Sequence, residues 1–133
     1  MMKNTFNPNQ SIPLSVKIFS WILIVAGIFF FYVFTFNPGL CFPGASITDY
    51  SSQLGFSSTG VRILGSVVAL LISVIFNKSQ WLFITLVSRL TIEIGDIIVN
   101  VSSGGTMLNT IMIGTIAILE FWAIVKLYRI IKS

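Results

Sequence analysis

Five polar side chains, Thr85, Arg89, Glu93, Asp96 and Asn100, recur at spacings of 4, 4, 3 and 4 through an otherwise oily stretch. On an α-helix that spacing sets all five on one face. The remainder of residues 81–101 is largely Trp, Leu, Phe, Ile and Val, the make-up of a membrane span. Ionised groups at such depth are tolerated only when they turn toward a protein interior and find partners. The stripe therefore predicts a helix with lipid on one side and other helices on the opposite side.

Composition agrees with that environment. The 133 residues are 55% hydrophobic and 9% charged, with a mean hydropathy of +0.94. A soluble domain of this length would carry about 25% charged residues. Oily runs at 16–36, 59–76, 81–101 and 106–127 predict one all-α domain, a bundle of four transmembrane helices filling residues 1–133. The breaks are Asn77-Lys78-Ser79-Gln80 and Ser102-Ser103-Gly104-Gly105, both turn-like in composition. One long connection, residues 37–58, is expected as an outer loop. Its apolar Leu40, Phe42, Ile47, Leu54 and Phe56 suit either a cap over the mouth of the bundle or a loop resting on headgroups. The first run lacks a small-residue cleavage site and exceeds a signal-peptide core, so it is expected to remain in the mature protein.

Basic residues orient the chain. Lys3, Lys17, Lys78, Lys126, Arg129 and Lys132 fall on one side of the four runs, and Asp49 on the other. The positive-inside rule then predicts a multi-pass inner (plasma) membrane protein with both termini cytoplasmic. Trp21, Trp81, Trp122 and Tyr128 fall near the inner boundary and Tyr32 near the outer, where amphipathic rings favour the headgroup level. The basic residues form no dense, aromatic-interleaved run, so a nucleic-acid partner is not expected. With one cysteine, Cys41, and no histidine, neither an internal disulfide nor the usual zinc spacing is available, and no cofactor is implied.

Helical rise converts the charges into levels. Entering from the inside at Trp81, Arg89 lies about 12 Å deep and Glu93 about 18 Å, while Asp96 lies about 8 Å below the outer end. Arg62 in the second span falls near the level of Asp96, and Glu120 in the fourth near that of Arg89. Two charged layers are expected: an outer pair of Arg62 with Asp96, joined or not by Asp49, and an inner cluster of Arg89, Glu93 and Glu120. Asn109 shares the face of Glu120, three turns away. Two arginines against three carboxylates leave one acid without a counter-ion, either a proton carrier or a neutral hydrogen-bond donor. Gly65, Ala69 and Gly114 are expected to let helices approach closely.

The residues Gly60-Val61-Arg62-Ile63-Leu64-Gly65, Gly95-Asp96-Ile97-Ile98-Val99, Gly104-Gly105 and Gly114-Thr115 carry a resemblance. Over residues 59–127 the chain is similar to small uncharacterised four-span bacterial membrane proteins of the domain-of-unknown-function kind. These carry a G-x-R-D-x-x-x-G entry to the second span and a G-D-x-x-I/V exit from the third. The resemblance implies four helices and a paired Arg62 and Asp96. Ile63 stands where that family has an acid, and Ile113 where it often has a histidine, so no metal or acid–base role carries over. The small multidrug exporters are similar in size but place their glutamate in the first span, which here has no acid. A sterol-isomerase and sigma-receptor-like arrangement is compatible in charge without a diagnostic motif.

Three readings follow from the residues. Arg89, Glu93, Glu120 and Asn109 line a polar cavity that binds or passes a small amphipathic or lipid-like ligand. Alternatively, the chain is a structural or accessory subunit, or a homo-oligomer, whose charges set helix packing. The third is a membrane enzyme, such as an isomerase, using a buried acid; without histidine no catalytic triad can be assembled.

Overall fold

The computed structural model describes residues 10–40 and 48–133. Lys3, Cys41, Phe42 and Ile47 lie outside them. Nearly all of the described chain is helical: α1 (Leu14–Phe36), α2 (Tyr50–Ile75), α3 (Ser79–Ser102) and α4 (Met107–Lys132), with one 3-10 turn at Pro38–Leu40. The fold is all-α. Helices α1, α2 and α4 are long and apolar enough to cross a membrane. α3 has the length, 24 residues, but carries Arg89, Glu93 and Asp96 in its middle.

Local chemistry sets the boundaries. Pro13 precedes α1 with φ −58°, where its missing N–H is no loss. Asn37, held extended by the following Pro38, ends α1. α2 begins at Tyr50, so residues 50–58, expected as loop, are helical. No proline interrupts them, and the Ser58 and Thr59 hydroxyls donate to the Gly55 carbonyl at 3.1 and 2.9 Å, hiding their polarity. Phe56 packs on Phe34 of α1, ring centroids 6.1 Å apart. Asn77 turns α2 into α3 with φ +52°, a conformation asparagine tolerates better than most residues. At the far end of α3, Gly104 takes φ +71° and the Gly105 N–H donates to the Asn100 carbonyl at 2.7 Å. Thr106 then caps α4, its hydroxyl accepting from the Asn109 N–H. α4 runs on to Lys132, with Arg129 and Lys132 in its last turn, where the helix dipole favours cations.

Two antiparallel hairpins result. α1 packs along α2 and α3 along α4; α2 meets α3 less extensively and α1 meets α4 only narrowly. Gly27 lets α1 close on α2, since a Cβ there would collide with the Val67 side chain, and Gly60 does the same against Thr35. The expected close-approach residues Gly65 and Gly114 have no other helix against them. Gly65 lies on the outward face of α2, where smallness has no neighbour to admit.

The packed core occupies the end where α1 begins and α4 ends. Val16, Leu70, Leu82, Leu86 and Leu127 are fully buried there. The lead-in segment seals this end: the Ile12 N–H donates to Asn77 Oδ1 at 3.2 Å, and the Ser79 N–H to the Gln10 carbonyl at 3.3 Å. Outward faces are largely apolar, including Ile22, Val25 and Ile28 of α1 and Ile84, Ile94 and Ile98 of α3. The exposed Thr91 of α3 and Thr115 of α4 return their hydroxyls to the Val87 and Ile111 carbonyls of their own helices. An exterior of this kind suits hydrocarbon rather than water.

Candidate functional site

The polar face of α3 turns toward the other three helices, and its apolar face, led by Ile84, Ile94 and Ile98, turns away. From the sealed end upward, the interior opens into a cavity of about 510 Å³ between the two hairpins. Its walls are mainly apolar: Leu23, Phe30 and Phe34 from α1, and Met112, Ile113 and Ile116 from α4. Arg62 and Ser66 of α2 and Arg89, Glu93, Asp96 and Asn100 of α3 supply the polar side.

Arg89 organises the floor. Its Nε donates to Glu120 Oε1 at 2.7 Å, its Nη1 to the Ser66 hydroxyl, and its Nη2 to Glu93 Oε1 at 3.5 Å. The Ser66 hydroxyl in turn donates to the Ile63 carbonyl at 2.8 Å. One guanidinium thus ties α2, α3 and α4, a task suited to the planar, multi-donor fork of arginine. Seven residues farther along α3, about 10 Å, Arg62 Nη2 spans both oxygens of Asp96 at 3.1 and 3.2 Å. Side-chain exposure falls from 46% and 37% at Arg62 and Asp96 to 12% and 16% at Arg89 and Glu93, and to zero at Glu120. The charges descend from an open mouth to a dry base.

Arg89, Glu93 and Asn109, expected in the cavity, line it. Glu120 does not. It stands behind Arg89 in the packed end, with Oε2 sealed and without a hydrogen-bond partner among the described residues. The reason is depth, since Glu120 lies eleven residues from Asn109, about 16 Å down α4, below the point where the hairpins separate. Asp49 does not join the outer pair: it precedes the first turn of α2, about 20 Å along the helix from Arg62. Thr85 returns its hydroxyl to the Trp81 carbonyl at 2.9 Å and stands apart from the cavity lining.

Ser66, which receives the Arg89 Nη1, was not singled out in the sequence. Its position four residues from Arg62 was the available signal, one helical turn below the outer pair and level with Arg89. Asn100 has a second task at the rim. Its Nδ2 donates to the Thr106 carbonyl at 3.2 Å and to Thr110 Oγ1 at 2.8 Å, bracing the α3–α4 turn.

No family model, curated protein or solved structure matches the chain. The likeness drawn from Gly60–Gly65 and Gly95–Val99 therefore rests on those residues alone.

Proposed function

We propose that the protein is a four-span membrane protein, with both termini cytoplasmic, whose cavity holds a small amphipathic, lipid-like ligand in the outer half of the bilayer. The observation that carries this reading is the cavity itself: about 510 Å³, walled by apolar side chains and floored by Arg89 and Glu93. Ligand sites are commonly concave and largely apolar, with a few convergent polar groups that fix orientation. In this reading α3 is the fourth span. Its three ionisable residues face partners or the cavity and its outward side is largely apolar, which is the condition for charge at membrane depth. Lys17, Lys78, Lys126, Arg129 and Lys132 at the sealed end support a cytoplasmic placement of that end.

The test is photolabelling in liposomes with an alkyl alcohol carrying a diazirine. Saturable labelling of Ile113 and Ile116, lost in Ile113→Trp, is expected. Labelling that never saturates, or that favours the lipid-facing Ile94 and Ile98, would contradict the reading.

A second reading, a subunit whose charges only set helix register, draws support from the bonds of Arg89 across three helices. Buried ionic contacts serve that purpose in other assemblies with little net stabilisation.

A further inference from the structure

We infer that the cavity takes a single-chain amphiphile with a protonated amine head, the amine at Glu93 and the tail between α1 and α4. The inference rests on the cavity reading and names its ligand class. Two guanidiniums, Arg62 and Arg89, meet three carboxylates, Glu93, Asp96 and Glu120, in and beneath the cavity. Asp96 holds Arg62 through both oxygens, and Glu120 holds Arg89 at 2.7 Å. Among the described residues Glu93 has only the longer 3.5 Å contact to Arg89, and it faces the cavity. The excess negative charge therefore belongs at Glu93, on an interior floor where an unbalanced charge is expensive. A primary ammonium supplies one positive charge and three donors, the complement of that carboxylate.

The tail position follows from the seams between helices. The α1–α2 seam is closed at Gly27 and Gly60. The α3–α4 seam is tied by Arg89–Glu120 and Asn100–Thr110, and the α2–α3 seam by Arg62–Asp96. α1 and α4 meet at the sealed end, through Phe19 on Trp122 and Lys126 on Ser15. Beyond that, Phe30 and Phe34 on one side and Leu108 and Met112 on the other front the cavity. Leu108 and Met112 line the cavity and are themselves exposed, so we place the open edge of the cavity at this seam. From Glu93 to Ser103 at the rim is about 15 Å along α3, room for one alkyl chain. A zwitterionic aminophospholipid fits less well, because its phosphate cancels the charge that Glu93 needs.

The experiment measures equilibrium binding to the full chain in phosphatidylcholine nanodiscs, with protein-free nanodiscs subtracted. The probes are dodecylamine, dodecanol, dodecanoate and lysophosphatidylethanolamine. Dodecylamine is expected to bind about ten-fold more tightly than dodecanol, the scale of one charge-assisted hydrogen bond. Dodecanoate and the lysophospholipid should bind no better than the alcohol. Glu93→Gln should bring the amine down to the alcohol's level, and a parental unfolding midpoint of the same preparation reports an intact fold. Met112→Trp should weaken amine and alcohol together. Equal affinity for amine and alcohol, or an advantage that survives Glu93→Gln, overturns the amine assignment and leaves the cavity reading standing. Tighter binding of dodecanoate or the lysophospholipid overturns the assignment as well, and unchanged binding in Met112→Trp overturns the tail position. Failure of every probe to bind overturns both readings.

Discussion

Arg89 and Glu120 form the tightest link between α3 and α4, Nε to Oε1 at 2.7 Å, with the carboxylate wholly buried and the guanidinium nearly so. The pair stands where the cavity ends and the packed base begins, so the interior changes character at Arg89. Beneath it lie leucines and valines in close contact; above it the hairpins separate.

Removing one partner of this pair is expected to be far worse than removing both charges. Arg89→Gln takes the counter-ion from a carboxyl group in a dry site and should lower stability by about 3–5 kcal/mol, the range for removing one partner of a buried pair. Glu120→Gln in the Arg89→Gln background should recover most of that loss, because two amides can still meet across the helices. Unfolding midpoints of the parent and the two variants in one detergent check this. A double variant no better than Arg89→Gln would show that the geometry, and not the unpaired charge, carries the loss.

Gly27 and Gly65 make a matched pair for testing helix approach. Gly27→Val should destabilise by about 1–3 kcal/mol, the usual range for overpacking, since the new side chain meets Val67. Val67→Ala should relieve part of it. Gly65→Val, with open space around it, should stay within about 0.5 kcal/mol of the parent. Thermal unfolding of the four proteins reads both halves of the comparison.

These two sites also show what could be read before folding was known. Residue spacing alone placed Arg62 opposite Asp96 and Arg89 opposite Glu120, because helical rise and antiparallel runs convert sequence position into level. Which glycine meets a neighbour depends instead on helix rotation, which a stripe of small residues leaves open on α2; Gly60 and Gly65 lie on different faces of it. Glu120 was assigned to the cavity because level does not reveal where two hairpins part. The helical start at Tyr50 was hidden by a run of serines, whose polarity is silenced by bonds to their own backbone. Ser66 was missed for a similar reason, since a hydroxyl bonded to Ile63 and a hydroxyl receiving Arg89 look alike in sequence.

Exchanging Arg62 and Asp96 separates the two functional readings. Asp96→Asn should cost roughly 0.6 kcal/mol, the average for polar contacts between membrane helices, because both side chains are over a third exposed at the cavity mouth. Arg62→Asp with Asp96→Arg restores an ion pair of opposite sense and should recover parental stability. If the pair serves only helix register, amphiphile binding should also return in full. If the cavity binds an amphiphile, the reversed field at the mouth should alter affinity while the unfolding midpoint stays parental. Binding and unfolding measured on the same preparation distinguish these outcomes.

The placement of α3 across the bilayer can be decided by thiol labelling. In a Cys41→Ser background, single cysteines at Ser103, between α3 and α4, and at Gln80, at the start of α3, bracket the helix. A third at Ser133 reports the C-terminus. In intact cells a membrane-impermeant maleimide should modify Ser103→Cys and leave Gln80→Cys and Ser133→Cys untouched until the membrane is opened. That pattern requires α3 to cross, despite Arg89, Glu93 and Asp96, with its charges turned inward. It also requires the basic end formed by Lys78, Lys126, Arg129 and Lys132 to face the cytoplasm, as the positive-inside rule demands. Labelling of Gln80→Cys and Ser103→Cys from the same side would leave α3 lying along one surface, where its ionised residues would meet water, and the lipid-side route into the cavity would be lost with the fourth span.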